Sequence, residues 1–313
     1  MTKYLVIGGG GFIGYYVSQT LAAQGHEVEI LDVFDPYGSM NRIDYNYLIE
    51  QRLKGHNFKI YPTDINDRPG VFKTFERSKP DVIIHLAAYP RAVLVERYPE
   101  RGVNTLTIGL KNVLDAAAVH EVKHITYASS SMVYGDFGDQ APIEYDPCHP
   151  KTAYGIYKYA GELLCQLWSR QTGSTANIVR PSAVYGPLDM PGRVIERFFY
   201  NAMHNIPLKV QGADEVLDFT YLNDIGDCLI AASQYHHNDV FNGTFGRGWT
   251  LGEAAEIIVT LVGKGELDIQ ARDNSYPKRG ALNTNNARAK LNFEPYYDLN
   301  TGLATYYEHL RTN

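Results

Sequence analysis

Short apolar runs alternate with amphipathic stretches along the first 186 residues. KYLVIG at 3–8, EVEILD at 27–32, FKIYPTD at 58–64, DVIIHLA at 81–87, HITYASS at 124–130 and NIVRPSAVYG at 177–186 each predict a strand. Stretches near 12–24, 67–77, 99–119 and 154–171 predict helices between them. The strand runs are continuously apolar rather than alternating, the pattern of strands covered on both faces. Strands separated by crossover helices predict an α/β protein with a doubly wound parallel sheet. From Pro187 the pattern changes: Gly and Pro become frequent and the apolar periods shorten, with further helices predicted near 222–235, 250–263 and 299–310. This divides the chain into a larger domain over 1–186 and a smaller C-terminal lobe, expected to be a substrate-binding lobe, over 187–313, with about 220–248 returning to the first domain. The stretch 33–57 is long for a strand connection, and YNYLIEQRL predicts a short helix within it.

The first predicted strand runs into a glycine turn, VIGGGGFIG, followed by a helix from about Phe12. Strand, glycine turn and helix in that order form the phosphate-binding corner of a Rossmann fold: Gly8 permits the tight turn, Gly11 lets backbone approach a pyrophosphate, and Gly14 lets the helix lie close to the sheet. The free N–H groups at the helix start then face the phosphates. Asp32 ends the second strand, 18 residues beyond Gly14. A carboxylate there accepts hydrogen bonds from adenosine ribose hydroxyls and repels a 2′-phosphate, so NAD is expected rather than NADP. Asp64 ends the third strand, where it or the next amide, at Ile65, can meet adenine.

Tyr154 and Lys158 lie one helical turn apart on one face. Phenols have a pKa near 10, so a neighbouring ammonium is expected to stabilise the phenolate and make it a usable base. Serines 129–131 end the fifth strand, at the carboxyl edge where open α/β sheets bind ligands. Phenol, ammonium, hydroxyl and dinucleotide together predict redox chemistry at a carbinol carbon.

The chain has 313 residues, 44% of them hydrophobic, and a net charge of −6, which speaks against a nucleic-acid groove or an anionic membrane surface. No apolar run reaches a membrane span, and the start reads as a strand rather than a signal peptide. Three scattered cysteines and ten histidines show neither disulfide nor metal spacing. The expectation is a cytoplasmic protein with no metal.

These motifs resemble the extended short-chain dehydrogenase/reductases, in their nucleotide-sugar epimerase/dehydratase branch. VIGGGGFIG, Asp32, HLAA at 85–88, Asn104, SSSMVYG at 129–135, YGIYK at 154–158 and RPSAVYGP at 180–187 stand in that family's order and spacing. The resemblance implies Tyr154 as base, Lys158 as its partner and Ser130 as the hydroxyl donor. It also implies that NAD is lined by Phe12, Ile13, Ile65, Leu86, Ala87, Ala88, Asn104, Pro181 and Val184. The two positions after the catalytic hydroxyl, acid and base in 4,6-dehydratases of the family, are here Ser131 and Met132. Methionine cannot be a general base, so they are expected to face substrate only. The implied activity is C4 epimerisation of a nucleotide-diphosphate sugar through a 4-keto intermediate. A nucleotide-sugar 4-dehydrogenase is the alternative, with an atypical dehydratase or a non-catalytic NAD-binding protein behind it. The family also implies a homodimer through helices 99–119 and 154–171.

The pattern departs from the family where the diphosphate is gripped. Ala183 stands where Asn is usual, and Leu217, in QGADEVLDFTYLND, stands where Arg is usual. Arg279, in YPKRGAL, aligns with a second phosphate-binding arginine. Arg193 and Lys209 are further candidates, and Arg91, just after HLAAYP, is placed to point into the sugar site.

Overall fold

The computed structural model describes residues 1–36, 40–89, 91–138 and 140–312. Its centre is a seven-stranded parallel sheet. The chain builds one half as β1 (Lys3–Ile7), α1 (Phe12–Ala23), β2 (Glu27–Asp32), α2 (Arg42–Leu53), β3 (Lys59–Pro62) and α3 (Arg68–Ser78). It then crosses to the other side of β1 and lays down β4 (Val82–His85), β5 (His124–Ala128) and β6 (Thr175–Arg180). The order of building reverses between β1 and β4, so their carboxyl ends open a crevice, the place where such sheets bind ligands.

Side chains on successive strand residues point to opposite faces, so β1 feeds two cores. Leu5 and Ile7 pack with Phe75, Val113, Ile125 and Trp168 on one face. Tyr4 and Val6 pack with Leu21, Val179, Leu229 and Phe241 on the other. Full burial of each such side chain contributes roughly 1.5–3 kcal/mol.

Between β4 and β5 come α4 (Ala92–Arg97), α5 (Pro99–Val103), a π-helical turn over Asn104–Gly109 and α6 (Leu110–Val119). The helix expected over 99–119 is thus three segments. Widened turns of this kind concentrate at functional sites, and this one begins at Asn104. The expected short helix in 33–57 is α2, started by the Asn41 side chain, which accepts the Asp44 N–H at 2.9 Å. Helix α7 (Ala153–Thr172) carries the Tyr/Lys pair. Thr152 caps its start, with Oγ1 accepting the Gly155 N–H at 3.1 Å, and Gly173 at φ +71° ends it.

The sixth expected strand, 177–186, does not run through. Pro181 offers no N–H to the ladder, and Ala183 takes φ +33°, turning the chain out of the sheet. The next residues form β7 (Val184–Tyr185). The chain then continues through α8 (Val194–Met203), β8 (Leu208–Gln211), β9 (Val216–Leu217), β10 (Thr220–Tyr221) and α9 (Leu222–Ser233). β7 pairs with β10. The sheet's outer position beside β6 goes to β11 (Asp239–Asn242), whose sequence DVFN has too little apolar signal to predict it. The rest is β12 (Trp249–Thr250), α10 (Leu251–Val262), β13 (Leu267–Gln270), α11 (Asn285–Leu291) and α12 (Leu299–Thr312). A third core, including Phe198, Phe199, Leu208, Phe219, Ile258 and Leu303, holds α8, α10 and α12 together beyond the crevice.

Candidate active site

The crevice is a single cavity of about 1120 Å³ running from the glycine turn to the third core. It is large enough for a dinucleotide and a second ligand. Every sequence-predicted site residue lines it.

At the adenosine end the turn is as tight as a pyrophosphate site requires. Gly8 has φ +84°, and a Cβ there would meet the Ala87 nitrogen at 2.7 Å. A Cβ on Gly14 would sit 2.1 Å from the Gly8 carbonyl, so only glycine lets α1 start this close to β1. Asp32 lies beside the turn. Its Oδ2 accepts the Gly10 N–H at 3.0 Å and its Oδ1 the Phe34 N–H at 2.9 Å. Each oxygen keeps lone-pair capacity for a ribose hydroxyl. Burial raises the carboxyl pKa, opposed by those N–H groups and by Arg52. These residues fit a bound NAD: Gly8, Gly11 and Gly14 around the pyrophosphate, Asp32 at the ribose. Asp64 lines the same end, but its Oδ1 is engaged in a local turn, accepting from Asn66 N at 2.9 Å and Nδ2 at 3.0 Å. Its Oδ2 has no such partner among the described residues, and Ile65 lines the cavity beside it.

At the other end of the crevice, the caps on α7 place Tyr154 in its first turn and Lys158 one turn later. Ser130 closes β5, and its Oγ accepts the Met132 N–H at 3.1 Å. The sequence expectation that Lys158 lowers the phenol pKa is not what the geometry delivers. Lys158 Nζ donates to the Ala128 carbonyl at 2.7 Å and stands 5.9 Å from the Tyr154 ring centre. Burial pushes the phenol up to about 12, and the charges pulling it back are Arg193 first and the Ser130 hydroxyl second. Burial also takes Lys158 down to about 8. His85, beneath Lys158, is fully buried and held down at about 3 by burial and the neighbouring ammonium. Ser131 and Ser182 line the cavity with buried hydroxyls that have no partner among the described residues. Both hydroxyls are open to a ligand group or a water.

The substrate side is rich in arginine. Arg193 pairs with Asp189 at 3.2 Å and donates to the Val184 carbonyl at 3.2 Å. Arg91, at φ +74°, donates to the Gly192 carbonyl at 3.3 Å. Arg279 makes no hydrogen bond or ion pair with the described residues, and burial lowers its pKa to about 10 despite Glu215 nearby. An arginine set in a cavity wall without an anion partner fits a phosphate or carboxylate on the ligand. Leu217 and Ala183, at the altered family positions, both line the cavity, as does Lys209.

Three further lining residues escaped the sequence reading. Arg52 lies in the short helix expected within 33–57, Asp189 in the irregular segment after Pro187, and Arg272, paired with Glu215 at 2.5 Å, in a loop. Nothing in the local sequence marks any of the three as facing the site. Among the described residues no cluster of His, Cys, Asp or Glu could hold a metal, and no helix is long and apolar enough to cross a membrane.

Residues 4–243 match the model of the NAD-dependent epimerase/dehydratase family. A probable UDP-glucuronate 4-epimerase of Rhizobium meliloti is 31% identical over 74% of this chain and 68% of its own length. The UDP-glucuronate 4-epimerase of Thermodesulfobacterium geofontis is 28% identical over 97% of this chain and 94% of its own. The crystal structure of UDP-glucose 4-epimerase from Thermotoga maritima with UDP-glucose superposes with a TM-score of 0.89, at 27% identity and 99% coverage of both chains.

Proposed function

Because the chain belongs to the NAD-dependent epimerase/dehydratase family, we propose that it inverts C4 of a UDP-activated sugar, glucuronate in the first instance. NAD is its cofactor. The observation that carries the reading is the composition of one cavity. Tyr154, Ser130 and Lys158 share it with the glycine turn, while the positions after Ser130 hold Ser131 and Met132, which offer no acid–base pair for eliminating water.

NAD, held at the Gly8–Gly14 turn and by Asp32, would supply the hydride acceptor and donor that C4 inversion requires. The protein's part is proton transfer and positioning. Tyr154, whose phenolate Arg193 and the Ser130 hydroxyl favour against burial, accepts the C4 hydroxyl proton as the 4-keto sugar forms and returns it after the sugar turns over. Ser130 donates to the same oxygen. Lys158, held by the Ala128 carbonyl, keeps a positive charge on the cofactor side of the phenol. Arg279 takes the diphosphate, the role left open by Leu217 and Ala183. Arg91 and Arg193, at the phenol end, supply the charge that a C6 carboxylate requires. UDP as carrier and glucuronate as sugar rest on the relatives' activities together with these two arginines.

The protein works as a homodimer in the cytoplasm on this reading. Ile108, on the π turn, and Ile156, Leu163 and Leu167, on α7, expose a row of apolar side chains where the family pairs its subunits.

Proton NMR with UDP-glucuronate and UDP-glucose in deuterated buffer tests the reaction. Epimerisation changes the H3–H4 and H4–H5 couplings and leaves C4 free of deuterium. A deoxy methyl signal carrying deuterium would sink the reading in favour of elimination, and accumulation of a 4-keto product would replace it with a 4-dehydrogenase. Tyr154→Phe should cost at least ~10²-fold in turnover with NAD still bound.

A further inference from the structure

The segment Pro187–Arg193 leaves the sheet at the cofactor end and reaches α8 at the substrate end, and side chains from both ends grip its main chain. On the cofactor side the Tyr15 hydroxyl donates to the Pro187 carbonyl at 3.1 Å. Arg52 donates to the Leu188 carbonyl twice, from Nη2 at 2.7 Å and Nε at 3.1 Å. On the substrate side Arg91 reaches the Gly192 carbonyl, and the Glu196 carboxylate accepts the Gly192 N–H at 2.7 Å. Between the two grips Asp189, buried, pairs with Arg193 and faces the charges of Arg52 and Arg91 as well.

Arg52 does more than fill space. Its Nη1 also donates to the Gly10 carbonyl at 3.1 Å, and the Gly10 N–H is the one held by Asp32. One guanidinium, on a residue only 1% exposed, therefore fixes the phosphate-binding turn and the substrate-side segment at the same time. The planar fork of arginine suits this double grip, and lysine, a single point donor, cannot reproduce it. The held segment is also strained. Leu188 sits at φ +61° and its substrate-side anchor Arg91 at φ +74°, backbone states that non-glycine residues keep only where the surroundings impose them.

We propose that Arg52 is a positioning residue that couples NAD occupancy to the shape of Pro187–Arg193, so that NAD and the nucleotide sugar strengthen each other's binding. The proposal rests on the nucleotide-sugar reading above. A pyrophosphate seated at the turn fixes the main chain at Gly10 and Gly11. Arg52 then holds the Leu188 carbonyl, and Asp189 presents Arg193 toward the phenol. Linkage makes the coupling reciprocal: UDP in the substrate site must tighten the hold on NAD.

The experiment follows exchange of bound NAD for isotopically labelled NAD by mass spectrometry, on holoenzyme, with and without UDP. UDP binding is measured in parallel by calorimetry. In the wild type UDP should slow exchange by about 10-fold. In Arg52→Met exchange without UDP should be faster, and UDP should change it less than about 2-fold while still binding. Arg52→Lys, which keeps the charge and most of the stem, should fold where the methionine variant does not and should lose most of the UDP effect. Equal protection by UDP in wild type and Arg52→Lys overturns the proposal. So does an absence of protection in a wild type that binds UDP, or a variant that melts earlier yet keeps the full UDP effect. If UDP gives no heat with the wild type, the nucleotide-sugar reading itself has failed, and the coupling falls with it for lack of a ligand rather than lack of a link.

Discussion

Removing Glu162 tests the charge pair that lies behind the catalytic helix. Arg180 Nε meets Glu162 Oε1 at 2.9 Å and its Nη2 meets Oε2 at 2.6 Å, with side chains 4% and 1% exposed. Ser129, next to Ser130, donates to the same carboxylate, and Glu162 lies one turn beyond Lys158 on α7. Arg180 further donates to the Glu144 carbonyl at 3.1 Å and stacks 4.7 Å from the Tyr134 ring. Burial alone would push the guanidinium toward its neutral form, and the Glu162 hydrogen bonds and charge more than offset this. Taking one partner from a buried pair costs about 3–5 kcal/mol, because the survivor keeps its desolvation penalty with nothing to offset it. Glu162→Met and Arg180→Met should each lose stability in that range. The double variant removes both charges and leaves mainly the Ser129 hydroxyl and Glu144 carbonyl unpaired, about 1–3 kcal/mol each. Its loss should therefore fall about 4 kcal/mol short of the sum of the singles, taking the middle of each range. Urea unfolding followed by tryptophan fluorescence, to which the buried Trp168 of α7 contributes, reads all three variants. Single losses below about 1 kcal/mol, or additivity within about 0.5 kcal/mol, would refute the account of a pair stabilised by mutual charge.

Three further outcomes follow from the site. Gly14→Ala drives a methyl into the Gly8 carbonyl and should strip NAD from the purified protein, read as loss of the cofactor's absorbance and a lowered melting temperature; an unchanged NAD content would contradict the close α1–β1 approach. Arg279→Met should raise the KM for the nucleotide sugar by about 10–100-fold with kcat within a few-fold, since a charge-assisted contact is worth about 1.5–3 kcal/mol and is made equally before and at the transition state. His85, held at about 3 against an ordinary 6.5, leaves the unfolded chain binding a proton that the folded chain refuses, so stability should fall as pH drops from about 6.5 toward 3. Melting curves of His85→Phe should be flatter across that window, and an identical slope in both proteins would remove the assignment.

The sheet was legible in the sequence because its signals are short-range. Continuous apolar runs such as VIIH are buried whatever lies beside them, and the Gly14 contact with the Gly8 carbonyl spans only six residues. The legibility fails where partners are distant. DVFN at 239–242 becomes a strand because Asn177–Arg180 offers a parallel edge, not because of its own pattern. The break after Arg180 depends on Ala183 adopting φ +33°, which alanine does not advertise. α8 has a clean apolar face in Ile195, Phe198, Phe199 and Ala202, but it starts without a side-chain cap, so proline and glycine just before it disguise where it begins.

The site shows the same division more sharply, because charges act over distance where apolar contacts act by touch. Tyr154, Lys158 and Ser130 were readable since two helix turns and one strand end set their placement. The field around the phenol was not readable. Spacing alone makes Lys158 its nearest cation, yet the ammonium turns to the Ala128 carbonyl, and Arg193, 39 residues further along, is the charge that opposes burial of the phenol. Arg193 owes its pose to Asp189, which belongs to a segment gripped by Arg52 from α2. Three residues from two distant stretches, Arg52 on α2 and Asp189 with Arg193 after β7, thus set the charge beside one phenol, and no local pattern relates them. The family's Asn and Arg at the positions of Ala183 and Leu217 would have supplied polar groups here from the regular frame. Their replacement by apolar residues leaves that work to arginines on loops, whose placement depends on the folded segment and not on periodicity.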